Sequence, residues 1–308
     1  MTQTLSLIDN AAWAAAAPRL SVLIPSYRDD PVRLLRLLDG AGVEAEIVVL
    51  DDGAGDPALA ARIAETINAL TTPARFVRLT VNEGRAAGRN RLAGNARAAF
   101  MLFLDADMLP DHPDFIGRWL TLIAAEHPAV AFGGFSLDQT PLSAAHAVHR
   151  AMSLKSDCLP AEQRRLAPEK YVFTSNLLIR RDVFEAEPFD ARFTGWGWED
   201  VEWGMRVSRR HAIHHIDNPA THLGLDTTRA MAAKFEQSAA NFARVVASHG
   251  DIVRAYPSYR AAKALRRVPL RGVWRPWLKA AAMASPAPAE ARAFALRLYR
   301  AALYAEAV

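Results

Sequence analysis

The 308 residues are 51% apolar and 23% charged, enough for one large domain with a proper core, or for a domain with an appendage. A single cysteine, Cys158, excludes an internal disulfide framework and fits a reducing compartment, and no run of 18 apolar residues is present to span a membrane. The net charge of +4 hides an asymmetry: residues 252–308 carry eleven Lys and Arg against two Glu, a balance of +9, so the first 251 residues sum to −5, which argues against nucleic-acid binding by the main body.

The chain opens with the apolar run AAWAAAAP, preceded by Asp9 and by no Lys or Arg. That is a poor secretory signal, and a cytoplasmic protein is expected. Next come four short apolar stretches, many of their residues β-branched: LSVLIPSY (20–27), EIVVLDDG (46–53), RFVRLTV (75–81) and FMLFLDAD (100–107). Helix-like segments at 31–39, 56–70, 84–97 and 112–126 alternate with them. Strand, helix, strand at this spacing predicts βαβ units, a mostly parallel sheet flanked by helices on both faces. Ligands bind such sheets beyond the carboxyl ends of the strands. Those ends carry Pro25-Ser26-Tyr27, Asp51-Asp52-Gly53, Asn82-Glu83-Gly84 and Asp105-Ala106-Asp107. After residue 128 the pattern loosens, with strands expected at 129–137, 172–180 and 212–217 in mixed orientation. Helical composition dominates from 227 onward, cut by Pro257, Pro269, Pro276, Pro286 and Pro288.

The chemistry-bearing residues follow the same order. Asp51-Asp52-Gly53 is either a strand-ending turn or a carboxylate placed to accept from a ribose hydroxyl or a base N–H. NEGRAAGRN (82–90) can open a helix as a phosphate loop, with Arg85, Arg89 and Arg91 adding positive charge, but it lacks the glycine spacing of a dinucleotide fingerprint. Asp105 and Asp107, at i and i+2 past an apolar strand, are either an acidic turn or half of a hard-oxygen site for Mg²⁺ or Mn²⁺ completed by diphosphate oxygens. The segment FTGWGWEDVEWGMRV (193–207) holds more charge than a core helix and more indole than a solvated loop.

Taken together and in order, SVLIPSY, VVLDDG, NEGRAAGRN, FLDADM, TSNLLIRRDVF and GWGWED resemble glycosyltransferase family 2 and its GT-A fold, over residues 19–225. The last motif is similar to the G-W-G-G-E-D of galactosyltransferases and chondroitin-type polymerases, with Trp198 in place of the second internal glycine.

The resemblance implies roles. Pro25 and Tyr27 would line the nucleotide base, Asp52 would hold the uracil or ribose, and Arg89 would lie against the base or diphosphate. Asp105 would take a ribose hydroxyl or a metal-bound water, and Asp107 would bind Mn²⁺ or Mg²⁺ directly. His222 is the expected second ligand, with His214 and His215 as competitors. Asp200 would be the general base of an inverting transfer, Glu199 a hydroxyl-binding partner, and Trp196 and Trp198 platforms for sugar rings. Glu202 and Trp203 are read as structural.

The domain reading is an N-terminal extension (1–18), a GT-A catalytic domain (19–245) and a basic helical C-terminal region (246–308). In that last region 259–281 mixes Arg and Lys with Trp274 and Trp277, as a segment lying on an anionic membrane surface does, or as a solvated or docked appendage does. The expected activity is a metal-dependent, inverting hexosyl- or N-acetylhexosaminyltransferase. It would use a nucleotide sugar, a UDP-sugar first, on a saccharide or lipid-linked saccharide in polysaccharide or glycoconjugate biosynthesis. The rivals are a retaining transferase of the same fold and a catalytically silent sugar-binding or scaffold subunit.

Overall fold

The computed structural model describes residues 5–40 and 44–308. The extension expected over 1–18 therefore lies in part, residues 1–4, outside the described residues. In chain order the elements are β1 (Leu5–Asp9), β2 (Leu20–Ser26), α1 (Val32–Leu38), β3 (Ala45–Asp51), α2 (Pro57–Ala69), β4 (Ala74–Leu79), α3 (Arg85–Asn95), β5 (Phe100–Phe103) and β6 (Met108–Pro110). They continue with α4 (Phe115–Glu126), β7 (Val130–Phe132), β8 (Phe135–Ser136), α5 (Ala147–Ser156), α6 (Ala161–Arg164), β9 (Leu177–Arg180), α7 (Arg181–Ala186), α8 (Glu199–Val207), β10 (Ile213–His215) and β11 (Ala220–His222). Five helices close the chain: α9 (Thr228–Ser248), α10 (Gly250–Val253), α11 (Pro257–Arg266), α12 (Arg271–Met283) and α13 (Ala289–Tyr304).

Eight strands form one sheet in the order β1-β4-β3-β2-β5-β9-β7-β10. The pairs β4–β3, β3–β2 and β2–β5 are parallel, as the alternation of strand and helix predicts. Beyond β5 the orientation is mixed: β9 runs antiparallel to both β5 and β7, and β10 is parallel to β7. Every residue of β3 is buried, because α1, α2 and α4 cover one face of the sheet and α3, α7 and α8 the other. The edge strand β1 pairs antiparallel with β4. Behind it Trp13 is buried beneath the guanidinium groups of Arg75 and Arg97, whose carbons lie 4.5 and 3.8 Å from its ring centre.

A second sheet of three short strands, β6-β11-β8, is absent from the sequence reading apart from β8, and it positions the site. Its β11 pairs antiparallel with β6, with His222 opposite Met108. That register sets His222 beside the residue preceding Met108. The C-terminal helices pack onto the main body. Residues of α5, α9, α12 and α13 share one apolar cluster, and Phe193 and Val201 meet Phe242, Val245 and Tyr304 in another. No helix among the described residues is long and apolar enough to cross a membrane.

Candidate active site

The polar ends of β2, β3 and β5 face one edge of the sheet, and α3 starts there. Gly53 has φ of +68°, and a Cβ on it would stand 2.5 Å from the carbonyl carbon of Val81, so only glycine lets the β3 turn pass against the 81–82 backbone. Asp52, just before it, is buried and turned onto that loop. Its Oδ1 accepts from the Glu83 amide at 2.8 Å, and its Oδ2 accepts from the Gly84 amide at 3.1 Å and from Asn82 Nδ2 at 2.9 Å. Burial pushes this carboxyl up to about 6 despite the two amide donors. Asp52 thus organises the entry to α3.

Helix α3 carries two arginines one turn apart on one face. Arg85 Nε donates to Glu199 Oε1 at 2.5 Å, and Arg89 Nη2 donates to Asp105 Oδ1 at 2.6 Å. Arg89 is only 2% exposed, so the expectation that it lies against a base or diphosphate is corrected: it is buried under Asp105 and holds that carboxylate in place. Arg91 is likewise committed, to Glu83 at 2.5 and 2.7 Å.

Asp107 Oδ2 lies 3.1 Å from His222 Nε2. Burial opposes ionisation of both groups, yet their mutual hydrogen bond and charge hold Asp107 below and His222 above its ordinary value. A Cβ on Gly224 would fall 1.9 Å from Asp107 Oδ2, so the missing side chain is what lets the 222–225 turn close over this carboxylate. Asp29, in the loop after β2, is raised by burial and then by the charges of Asp107 and Asp105, which places a third carboxylate in the same field. His149 of α5 stands edge-on to His222 at 5.9 Å and accepts the Asp226 amide N–H at Nδ1 at 2.7 Å. Burial, with His222 beside it, pushes its pKa down to about 4, which keeps that acceptor nitrogen unprotonated.

The donor set at 107 and 222 fits Mn²⁺ or Mg²⁺: a carboxylate and an imidazole converge beneath a turn that glycine lets approach this closely. Among the described residues no three His, Cys, Asp or Glu side chains gather closely enough to hold a metal unaided, so phosphate oxygens and water would have to complete the shell. The competing histidines stand elsewhere. His214 pairs with Glu126 at 3.0 Å, and His215 is buried between Arg164 and the Pro168 carbonyl.

Residues 195–198 make the turn into α8. Gly195, Gly197 and Trp198 all have left-handed backbone, with φ of +73°, +88° and +77°. Glu199 is buried; burial opposes its ionisation, but Arg85 and then Arg89 hold it below its ordinary value. Asp200 is half-buried, and burial followed by the adjacent Glu199 charge pushes it up to about 7. Two neighbouring carboxyl groups are thereby split into one held charged and one poised near neutrality. Trp196 is half-exposed, with the Lys234 ammonium 5.9 Å from its ring centre and Phe235 behind it. Trp198, expected as a second platform, packs instead against Phe242 at 5.1 Å and donates its indole N–H to the Tyr304 hydroxyl. Glu202 and Trp203 are structural, as read: Trp203 is fully buried, and Glu202 bonds Arg206 and His249.

Tyr27 is exposed at the edge with Arg28 stacked 5.0 Å from its ring centre, and Pro25 is half-buried in β2. Gly224, Asp29, His149 and Tyr304 join the site only through the fold. Gly224 alone had a local signal, a glycine two residues after a candidate ligand.

The sheet order, the acidic strand ends and the C-terminal helices define a GT-A glycosyltransferase fold. Glycosyl transferase family 2 matches residues 21–187, more than half of the chain, and the protein belongs to that family and is a glycosyltransferase. It is 23% identical to the uncharacterized glycosyltransferase YfnE of Bacillus subtilis (strain 168) over 271 residues, covering 69% of this chain and 68% of that one. Mannosyltransferase PcManGT from Pyrobaculum calidifontis, solved with GDP-Man and Mn²⁺, superposes with a TM-score of 0.57 at 16% identity, over 94% of this chain and 88% of that one. TarS 1-349 from S. aureus superposes with a TM-score of 0.52 at 15% identity, over 94% and 90% of the two chains. Its complex with UDP-GlcNAc gives 0.50 at 14% identity over the same shares.

Proposed function

We propose that this glycosyltransferase is metal-dependent and inverting, and moves a hexosyl or N-acetylhexosaminyl group from a UDP-sugar to a saccharide or lipid-linked saccharide in polysaccharide or glycoconjugate assembly. The observation that carries the reading is the bridging by α3: one turn of helix ties Asp105, on the donor side, to Glu199, on the acceptor side, through Arg89 and Arg85. A donor and an acceptor held by those two carboxylate clusters would meet beside Asp200. The Mn²⁺ and GDP-Man of PcManGT and the UDP-GlcNAc of TarS support a nucleotide-sugar donor and a divalent cation. The uridine preference rests on the likeness of GWGWED to the galactosyltransferase and chondroitin-polymerase motif.

In this reading Tyr27 and Pro25 flank the base, Asp52 holds the uracil or ribose while keeping the 82–84 loop in shape, and Asp105 accepts from the ribose or from a metal-bound water. Asp107 and His222 would hold Mn²⁺ or Mg²⁺, which when bound neutralises charge on a departing diphosphate. Trp196 offers a face to the acceptor sugar, Glu199 accepts from an acceptor hydroxyl, and Asp200 takes the proton of the attacking hydroxyl. The catalytic unit is assigned to 19–245, with 1–18 as an N-terminal extension that lends β1 to the edge of the catalytic sheet, and 246–308 as a basic helical region that begins in the last turn of α9 and packs on that helix through α13.

The test is a thermal-shift series with UDP, GDP and their sugars in Mn²⁺ or chelator. A ligand at a hundred times its Kd stabilises by about 2.7 kcal/mol. UDP with Mn²⁺ should stabilise the wild type, and Asp107→Ala or chelator should abolish the effect. Equal stabilisation in all three sinks the metal assignment. Mn²⁺-dependent hydrolysis of donor without acceptor separates an enzyme from a silent subunit, and the anomeric configuration of the product separates inversion from retention.

A further inference from the structure

Leu270, Val273 and Trp277 fall at i, i+3 and i+7, along one side of α12 and the residue that opens it. They are 74, 62 and 73% exposed, and Val268 just before them is 43% exposed. The opposite side of α12 is the docked one: Arg275 pairs with Glu306 at 2.6 Å, Lys279 with Glu236 at 2.7 Å, and Ala282 is buried. Trp274, grouped with Trp277 in the sequence reading, is half-buried and donates to the Pro269 carbonyl at 2.8 Å, so it is not part of this surface. Four exposed cations lie in α11 and the turn that follows: Arg260, Lys263, Arg266 and Arg267. Among the described residues none of the four has a carboxylate within 4.0 Å. The two acidic residues of this region, Glu290 and Glu306, are already paired with Lys155 and Arg275. An aliphatic and indole stripe on α12 and, in the helix and turn just before it, four unneutralised cations are therefore both exposed.

We propose that this face is a docking surface for an anionic lipid bilayer, with Leu270, Val273 and Trp277 entering the boundary between headgroups and acyl chains, and Arg260, Lys263, Arg266 and Arg267 contacting anionic headgroups. Charge complementarity selects the occupant. A second copy of the chain would bring the same cations against themselves, whereas an anionic surface attracts them. A nucleic acid would answer the charge but not the leucine and valine, which the acyl boundary does. The proposal concerns where the enzyme works and not what it transfers, so turnover of a soluble acceptor is read separately from binding.

The full chain is sedimented with vesicles of phosphatidylglycerol and phosphatidylcholine, and with phosphatidylcholine alone. Binding is expected on the anionic vesicles only, and it should be lost in about 1 M salt, where the screening length is roughly 3 Å. Tryptophan emission should shift to shorter wavelength on binding, and that shift should shrink in Trp277→Phe. Each of Arg266→Gln and Arg267→Gln should lower the partition coefficient roughly fivefold. Trp277→Ser should bind more weakly, with melting temperature and transfer to soluble acceptor unchanged, since this ring is mostly in solvent. The proposal is overturned if the wild type ignores anionic vesicles at low salt, or if these variants bind as it does. It is also overturned if the chain forms a concentration-dependent dimer that Trp277→Ser dissolves, which would assign the stripe to a second copy.

Discussion

Trp198 Nε1 donates to the Tyr304 hydroxyl at 2.9 Å, joining the residue before Glu199 and Asp200 to the last turn of the chain's final helix. The same hydroxyl lies 2.7 Å from Ser238 Oγ, and the Tyr304 ring stacks on Phe242 at 4.2 Å. Trp198 needs this support, because its φ of +77° costs a side-chain-bearing residue about 1–2 kcal/mol. An aromatic contact and a hydrogen bond of about 1 kcal/mol each offset that cost. The indole is therefore a strut between α8 and α13, and the C-terminal region helps to place Asp200.

Tyr304→Phe keeps the ring and removes the hydroxyl. It should lower unfolding stability by about 1 kcal/mol and reduce transfer to acceptor, while UDP with Mn²⁺ stabilises it as it does the wild type. Thermal melts with and without UDP, run beside transfer kinetics, make the check. Equal loss of UDP binding would show that the strut serves the whole domain and not the acceptor side.

Gly224→Ala tests the closure of the turn over Asp107. The added Cβ would fall 1.9 Å from Asp107 Oδ2, so the carboxylate must swing away from His222. Residue 224 is exposed and outside every helix and strand, so the melting temperature without ligand should barely change. The stabilisation by UDP and Mn²⁺ should fall as it does in Asp107→Ala. An alanine variant that retains it shows that Asp107 binds through another rotamer.

What the sequence made legible follows from the range of the interactions involved. The run AEIVVLD of β3 and the periodic segment of α2 carry their own signals, and so do the acidic strand ends. Strands β6 and β11 do not, because three residues hold no period and their pairing joins segments more than a hundred residues apart. His222 was a candidate in the sequence, but that it stands beside Asp107, and His214 and His215 do not, follows from that pairing. The direction of Trp198 was equally hidden: Phe242 and Tyr304, from α9 and α13, decide it. The same holds for Arg89, which reads as a phosphate ligand until its burial under Asp105 is seen.

Trp196→Ala should act on the acceptor alone. Its half-exposed ring, beside Lys234, offers a stacking face worth about 0.5–1.5 kcal/mol. The acceptor KM should rise about threefold to tenfold, with the Kd for UDP unchanged in a titration. A change in UDP affinity instead would place the indole at the donor.

Asp200 carries the sharpest test. Burial and the Glu199 charge push its carboxyl up to about 7, so the form that can take a proton predominates above that pH. The rate kcat/KM should rise as pH increases through about 7 and then level, since below it the carboxyl is already protonated. Glu199→Gln removes the neighbouring charge and leaves Arg85 and Arg89, which favour the carboxylate, so the rising limb should move to lower pH. Asp200→Asn keeps the shape but cannot take a proton. It should cost a factor of about 10² to 10⁴ in transfer while binding UDP and Mn²⁺ like the wild type. Near wild-type turnover in Asp200→Asn, or a rising limb that Glu199→Gln leaves in place, removes Asp200 as the base. Loss of UDP binding in Asp200→Asn would assign it to the donor site, with Glu199 the next carboxylate to test.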